Sequence, residues 1–125
     1  MFRELTAYKK AFQLAMEIFQ VTKKFPKEET YSLTDQIRRS SRSVFANIAE
    51  AYRKRRYPAH FVSKISDADM ENTETQVWID FATSCEYLQS DTRIQLLSLS
   101  EEVGKLLQHM INNPERFLPT QQKKT

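Results

Sequence analysis

The chain has 125 residues, a mass of 14.8 kDa and a formal charge of +3, which is one ordinary domain able to build a core without staples. Its single glycine excludes a Rossmann crossover, a P-loop and hairpin-rich β folds, and its single cysteine excludes a disulfide framework or a cysteine-rich zinc module.

The start, Met1-Phe2-Arg3-Glu4-Leu5, lacks the basic segment and apolar run of a signal peptide. No apolar run approaches the roughly 20 residues that span a bilayer. A cytoplasmic, reduced chain is expected, with Cys85 as a small core hydrophobe. The first segment runs from about Phe2 to Phe25 and carries two adjacent apolar strips. One is Leu5, Tyr8, Phe12, Ala15, Phe19; the other is Ala7, Ala11, Leu14, Ile18, Val21, Phe25. Both follow helical spacing. Pro26 ends the segment, because the residue before a proline is pushed out of the α region.

A second helix is expected from Ser32 or Thr34. Its stripe is Leu33, Ile37, Val44, Ile48, Ala51, with Ser40 and Ser41 filling the missing turn. It runs into Arg53-Lys54-Arg55-Arg56, where cations suit the negative end of the helix dipole. Pro58 fits the first turn of a third helix, which the spacing extends to Gln89 through Phe61, Ile65, Ala68, Thr75, Ile79 and Ala82. Trp78 and Phe81 stand beside that stripe. A fourth helix is expected from Ser90–Thr92 to about Asn113. Its stripe is Ile94, Leu97, Val103, Leu107 and Ile111, supported by Leu99, Leu106 and Met110, and the capping box Ser98…Glu101 is a candidate break. Gly104 marks a candidate close packing point. Four helices with short links predict an all-α, antiparallel up-down-up-down four-helix bundle over residues 1–118, with a disordered polar tail at 119–125.

The small net charge hides two opposed blocks. Between Arg38 and Arg56 stand Arg38, Arg39, Arg42, Arg53, Lys54, Arg55 and Arg56 against the single acid Glu50. Between Asp67 and Asp91 stand seven acids and no Lys or Arg. Clustered arginines read either as phosphate contacts for nucleic acid or as a solvated face that forms ion pairs within or between subunits. Tyr52 and Tyr57 bracket the second half of the basic block, placed either to stack on unpaired bases or to close the helix corner. The surplus apolar surface of the first and third segments fits a homo-oligomer, oriented by the basic block meeting the acidic one.

Neither His60 nor His109 has a Glu three residues upstream, so the bundle di-metal pattern is missing and both read as surface groups. No metal and no cofactor are expected. Asn47 and Glu50 are three residues apart, as are Glu71 and Glu74, and each pair shares a helix face. Asn47, Glu50, Asn72 and Glu74 are therefore a candidate structural polar network between the second and third helices, neutralised by Arg38, Arg42 or Arg53. Surface exposure is the alternative. Acid–base chemistry by Glu50 and Glu74 is a third reading, with no nucleophile or metal set to support it.

Two stretches in this region, Tyr31-Ser32-Leu33-Thr34-Asp35-Gln36-Ile37-Arg38-Arg39-Ser40 and Ser43-Val44-Phe45-Ala46-Asn47-Ile48-Ala49-Glu50-Ala51, resemble a family signature. It is that of the four-helix bundle proteins encoded in intervening sequences of 23S ribosomal RNA genes. Phe25-Pro26-Lys27-Glu28-Glu29 resembles the end of the family's first helix, and Glu74-Thr75-Gln76 a motif of its third. The chain departs at Ala51, where glycine is usual, at Phe45, where proline is common, at Asn72, often Glu, and at Asp69, often Ser. The resemblance implies a bacterial, cytosolic protomer of a ring-like homopentamer, without established enzymatic activity or catalytic residues. It also implies a link to RNA, since a related branch assists the reverse transcriptases of diversity-generating retroelements and binds RNA through a basic surface. The expectation is an oligomeric structural or interaction protein of unassigned process and not an enzyme. The alternative is an RNA-binding accessory protein using Arg38, Arg39, Arg42 and Arg53 to Arg56.

Overall fold

The structure, a computed structural model, describes residues 1–119. It contains α1 (Thr6–Thr22), α2 (Leu33–Arg53), α3 (Pro58–Ser84) and α4 (Ser90–Asn112), with single 3-10 turns at Phe2–Glu4, Lys27–Glu29 and Pro114–Phe117. Residues 120–125, most of the expected polar tail, lie outside the described residues.

Helix boundaries follow the residue chemistry. Pro58 occupies the first position of α3, where a missing N–H costs nothing. α3 ends five residues before the Gln89 expected from sequence. Its end is a left-handed cap at Glu86 (φ 65°), with Tyr87 N donating to Ala82 O and Glu86 N to Thr83 O. A side chain other than glycine thus takes the left-handed position. This leaves Cys85 half-buried in the corner, not in the core as expected.

Each helix packs on its neighbours in the chain, and α1 closes the square against α4. The core shows the antiparallel order directly. One apolar cluster joins Ala7 and Ala11 from the start of α1, Ile48 and Ala51 from the end of α2, Phe61 and Ile65 from the start of α3, and Leu107 and Met110 from the end of α4. The other joins Leu14 and Ile18, Leu33 and Ile37, Ile79 and Ala82, Leu96 and Leu99 from the opposite ends.

Between the clusters lies a buried polar belt. Asn72 Nδ2 donates to Ser100 O (2.9 Å), and Ser100 Oγ donates back to Asn72 Oδ1 (2.9 Å). Gln76 Nε2 donates to Ser100 Oγ (2.9 Å). Ser40 Oγ and Thr75 Oγ1 share a hydrogen bond of 2.9 Å, and Thr75 also donates to Glu71 O. Each of these side chains has a partner, as burial away from water demands. A Cβ added at Gly104 would stand 3.4 Å from Asn72 Nδ2, so α3 and α4 approach closely at the belt.

α4 differs from its expected phase. It runs unbroken through Ser98, and its buried side is Leu96, Leu99, Ser100, Val103, Leu107 and Met110. Ile94 is 64 % exposed. The apolar run from Ile94 to Leu99 offers two overlapping stripes, and the Asn72–Ser100 contact selects the one containing Ser100.

Candidate functional site

α2 carries the basic block on its outward side and on its border with α1. Arg38 is held there: its Nε donates to Thr22 Oγ1 (2.8 Å), and its guanidinium lies 4.8 Å above the Phe19 ring. Thr22 in turn donates to Ile18 O (2.7 Å). The cation therefore sits at the negative end of α1, a structural task in its own right. Arg39 and Arg42 are exposed, and Arg39 donates to Gln36 Oε1 (2.7 Å). The three arginines, with Thr30, Thr34 and Ser43, line an open groove of about 460 Å³. Arg53 stands 11 residues beyond Arg42, close to three full turns, and so returns to the same side of the helix some 16 Å further on.

The corner after α2 is tight. Lys54 N donates to Ala51 O (2.8 Å) and Tyr57 N to Lys54 O (2.8 Å). Ala51 is fully buried while the helix continues to Arg53. Arg55 folds back over Tyr52, 4.0 Å above its ring, and donates to Tyr52 O (3.0 Å). Tyr52 thus closes the corner. Tyr57 is 56 % exposed, its ring edge-on to His60, and Arg53, Lys54 and Arg56 are exposed around it.

Ion pairs join the Met1 amine to Glu4 (3.3 Å), Lys10 to Glu102 (2.6 Å), Lys64 to Glu50 (3.0 Å) and Arg93 to Asp80 (2.9 Å). Arg38, Arg39, Arg42, Arg53, Lys54 and Arg55 make no ion pair among the described residues. The two charge blocks meet at Glu71, which feels Arg39. Burial and the neighbouring Glu74 raise the Glu71 carboxyl above its ordinary range, and Arg39 pulls it partly back. One Glu71 oxygen is buried with no hydrogen-bond partner.

The four-residue network expected from sequence is not assembled. Asn72 alone is buried, and it faces α4 through Ser100, not α2. Asn47 donates to Ser43 O, accepts from Lys64 Nζ (3.4 Å), and shares that lysine with the exposed Glu50. Glu74 accepts from Trp78 Nε1 (3.2 Å). Glu50 and Glu74 therefore have different partners, with Glu74 about 15 Å along α3 from Lys64. Arg38, Arg42 and Arg53 neutralise none of them. The reason is rotational: Asn72 and Glu74 are two residues apart and point about 200° apart on one helix. The belt partners Ser100 and Gln76 escape sequence reasoning, because a serine and a glutamine carry no mark of which helix they face. The described residues contain no His, Cys, Asp or Glu cluster able to hold a metal ion, and no helix long and apolar enough to cross a membrane.

Two apolar surfaces remain uncovered. On α1 and α2, Phe12 (42 % exposed) and Met16 (45 %) stand beside Phe19 and Phe45, with Phe12 and Phe45 5.0 Å apart. On α3, Met70 (69 %), Val77 (53 %) and Phe81 (51 %) form an outward stripe.

A family model described as 23S rRNA-intervening sequence protein matches residues 3–109. A solved structure is also similar, that of a protein of unknown function from the S23 ribosomal protein family of Bacteroides thetaiotaomicron. It superposes with a TM-score of 0.77 at 29 % identity, over 85 % of this chain and 95 % of that one. No curated protein matches the chain.

Proposed function

The chain belongs to the 23S rRNA-intervening sequence protein family, and we propose that its working form is a homo-oligomer, a ring-like pentamer, that serves as a structural or interaction protein. One observation carries this reading. The bundle buries an apolar side of all four helices and still leaves large apolar side chains outside on two separate faces. Monomeric proteins seldom expose such contiguous patches, whereas interfaces are built from them. Light scattering after size exclusion tests it: the expected mass is about five times 14.8 kDa, and a mass of one protomer at every concentration overturns it.

A second reading, an RNA-binding accessory protein, is favoured by the cations that take no part in the ion pairs of the fold. In a ring the corner formed by Arg53, Lys54, Arg55 and Tyr57 repeats around the assembly and adds up to a continuous positive band. Phosphate contacts of this kind weaken steeply with salt. Filter binding of structured and single-stranded RNA at two salt concentrations should show that loss, and the Arg53→Glu, Arg55→Glu variant should bind at least tenfold more weakly. Weak binding that is the same in both proteins ends this reading.

A further inference from the structure

The two uncovered apolar faces differ in the charge that surrounds them. The α1/α2 face is rimmed mainly by cations, with Glu17 beside Met16 at its edge toward α4. Arg42 lines its groove with Phe12, Met16 and Phe45, Arg38 lies over Phe19, and Lys23 Nζ lies 4.8 Å from the centre of the same ring. The α3 face is bordered by acids. Asp67, Glu71 and Glu74 alternate with Met70 and Val77 along the same helix, with no Lys or Arg from Asp67 to Asp91. Burial first and then Glu74 and Asp67 raise the Glu71 carboxyl against a partial offset from Arg39, and one of its oxygens is buried without a donor. α1 and α3 lie diagonally across the bundle, so one protomer can use both faces at once.

We infer that the cation-rimmed aromatic groove between α1 and α2 of one copy receives the acid-rimmed α3 stripe of the next. The inference rests on the oligomer proposed above and deepens it by assigning the faces. Like faces would set cation against cation or acid against acid, which costs binding energy, while unlike faces pair both apolar surface and charge. The stripes also match in scale: Phe12 to Phe19 covers about 10 Å of helix and Met70 to Phe81 about 16 Å. A contact between unlike faces is head-to-tail, and it propagates until it closes into a ring. It also divides the basic block. Arg38 and Arg42 are covered by the neighbouring copy, while Arg53 and Lys54 at the far end of α2 stay on the outside.

Two single substitutions test this, because each damages one face and spares the other. Phe12→Asp and Met70→Asp are both at exposed positions, and circular dichroism checks that each folds. Met16→Glu and Val77→Glu serve as a second pair. Each variant alone is expected to be a monomer by light scattering, with self-association weakened on the order of tenfold or more. Mixed together, Phe12→Asp and Met70→Asp are expected to form a complex of two chains and stop there, since one sound groove meets one sound stripe. If Met70→Asp still assembles while Phe12→Asp does not, the contact joins like faces and the inference is overturned. Assembly that survives all four variants overturns it too, while leaving the oligomer itself standing. A wild-type chain that is always monomeric removes the oligomer first. Loss of RNA binding in Phe12→Asp with assembly unchanged assigns the groove to RNA instead.

Discussion

The belt at the centre of the bundle and the basic corner at the end of α2 are both polar, and they are treated in opposite ways. In the belt, Asn72, Gln76 and Ser100 exchange hydrogen bonds of 2.9 Å, and Asn72 and Ser100 are cut off from water. At the corner, Arg53 and Lys54 point into solvent without a hydrogen-bond or ion-pair partner among the described residues. The fold has a use for every belt group and none for those cations. Inside, a lost partner leaves a stranded donor or acceptor; outside, water replaces it at no cost. The corner's charges are therefore free to be set by something other than folding.

The sharpest way to break this contrast is Asn72→Ala. It removes the acceptor of the Ser100 hydroxyl and opens a hole between α3 and α4, so a loss of about 2–3 kcal/mol is expected in urea unfolding. A loss below about 0.5 kcal/mol would show that the belt is not needed for stability.

A smaller effect is expected at an intermediate site, the contact between the two links at one end of the bundle. Tyr87 Oη donates to Glu29 Oε2 (3.0 Å), and Glu29 Oε1 accepts from Ser32 Oγ (2.6 Å). The hydrogen bond to Glu29 raises the Tyr87 hydroxyl from 10.0 to about 12. Hydrogen bonds from Ser32 and then Tyr87 lower the Glu29 carboxyl. The folded state holds the Tyr87 proton more tightly than the unfolded chain does. Its contribution is therefore complete below about pH 10 and is lost as pH rises through about 12. The Glu29 contribution is present above its ordinary value of 4.5 and is lost as pH falls below it. Tyr87→Phe should flatten the alkaline limb of a stability–pH curve. An unchanged limb would mean that the hydrogen bond is not maintained in solution.

The smallest effect is expected at the corner. Arg53→Gln, Lys54→Gln should move stability by no more than about 0.5 kcal/mol, since surface substitutions away from special features rarely do more. A thermal melt reads it. A large drop would place these residues among the structural ones and erase the contrast with the belt.

Much of the architecture was legible in the residue order. The helix starts and stops at Pro26, Pro58 and Pro114 are local backbone chemistry, and the strip Ala7, Ala11, Leu14, Ile18 keeps helical spacing and is buried. The basic block, the acidic block and the surplus apolar strips also survive as surface features. The candidate network did not survive as a unit. Asn72 was singled out correctly as a polar residue near the core, yet its partner lies on α4, 28 positions away. Glu50 reaches Lys64, the cation just before the acidic stretch, and none of the arginines offered to it.

What the sequence determined by itself is local and periodic: four helices, their order, their apolar sides, and where charge concentrates. Those properties depend on residues within a turn or two of one another, so spacing reveals them. Only the tertiary structure decided which of two overlapping stripes α4 buries, which polar groups satisfy each other in the belt, and which apolar strips stay uncovered. Those outcomes depend on how neighbouring helices rotate and meet. That rotation is set by groups such as Asn72 and Ser100, whose pairing no periodicity records.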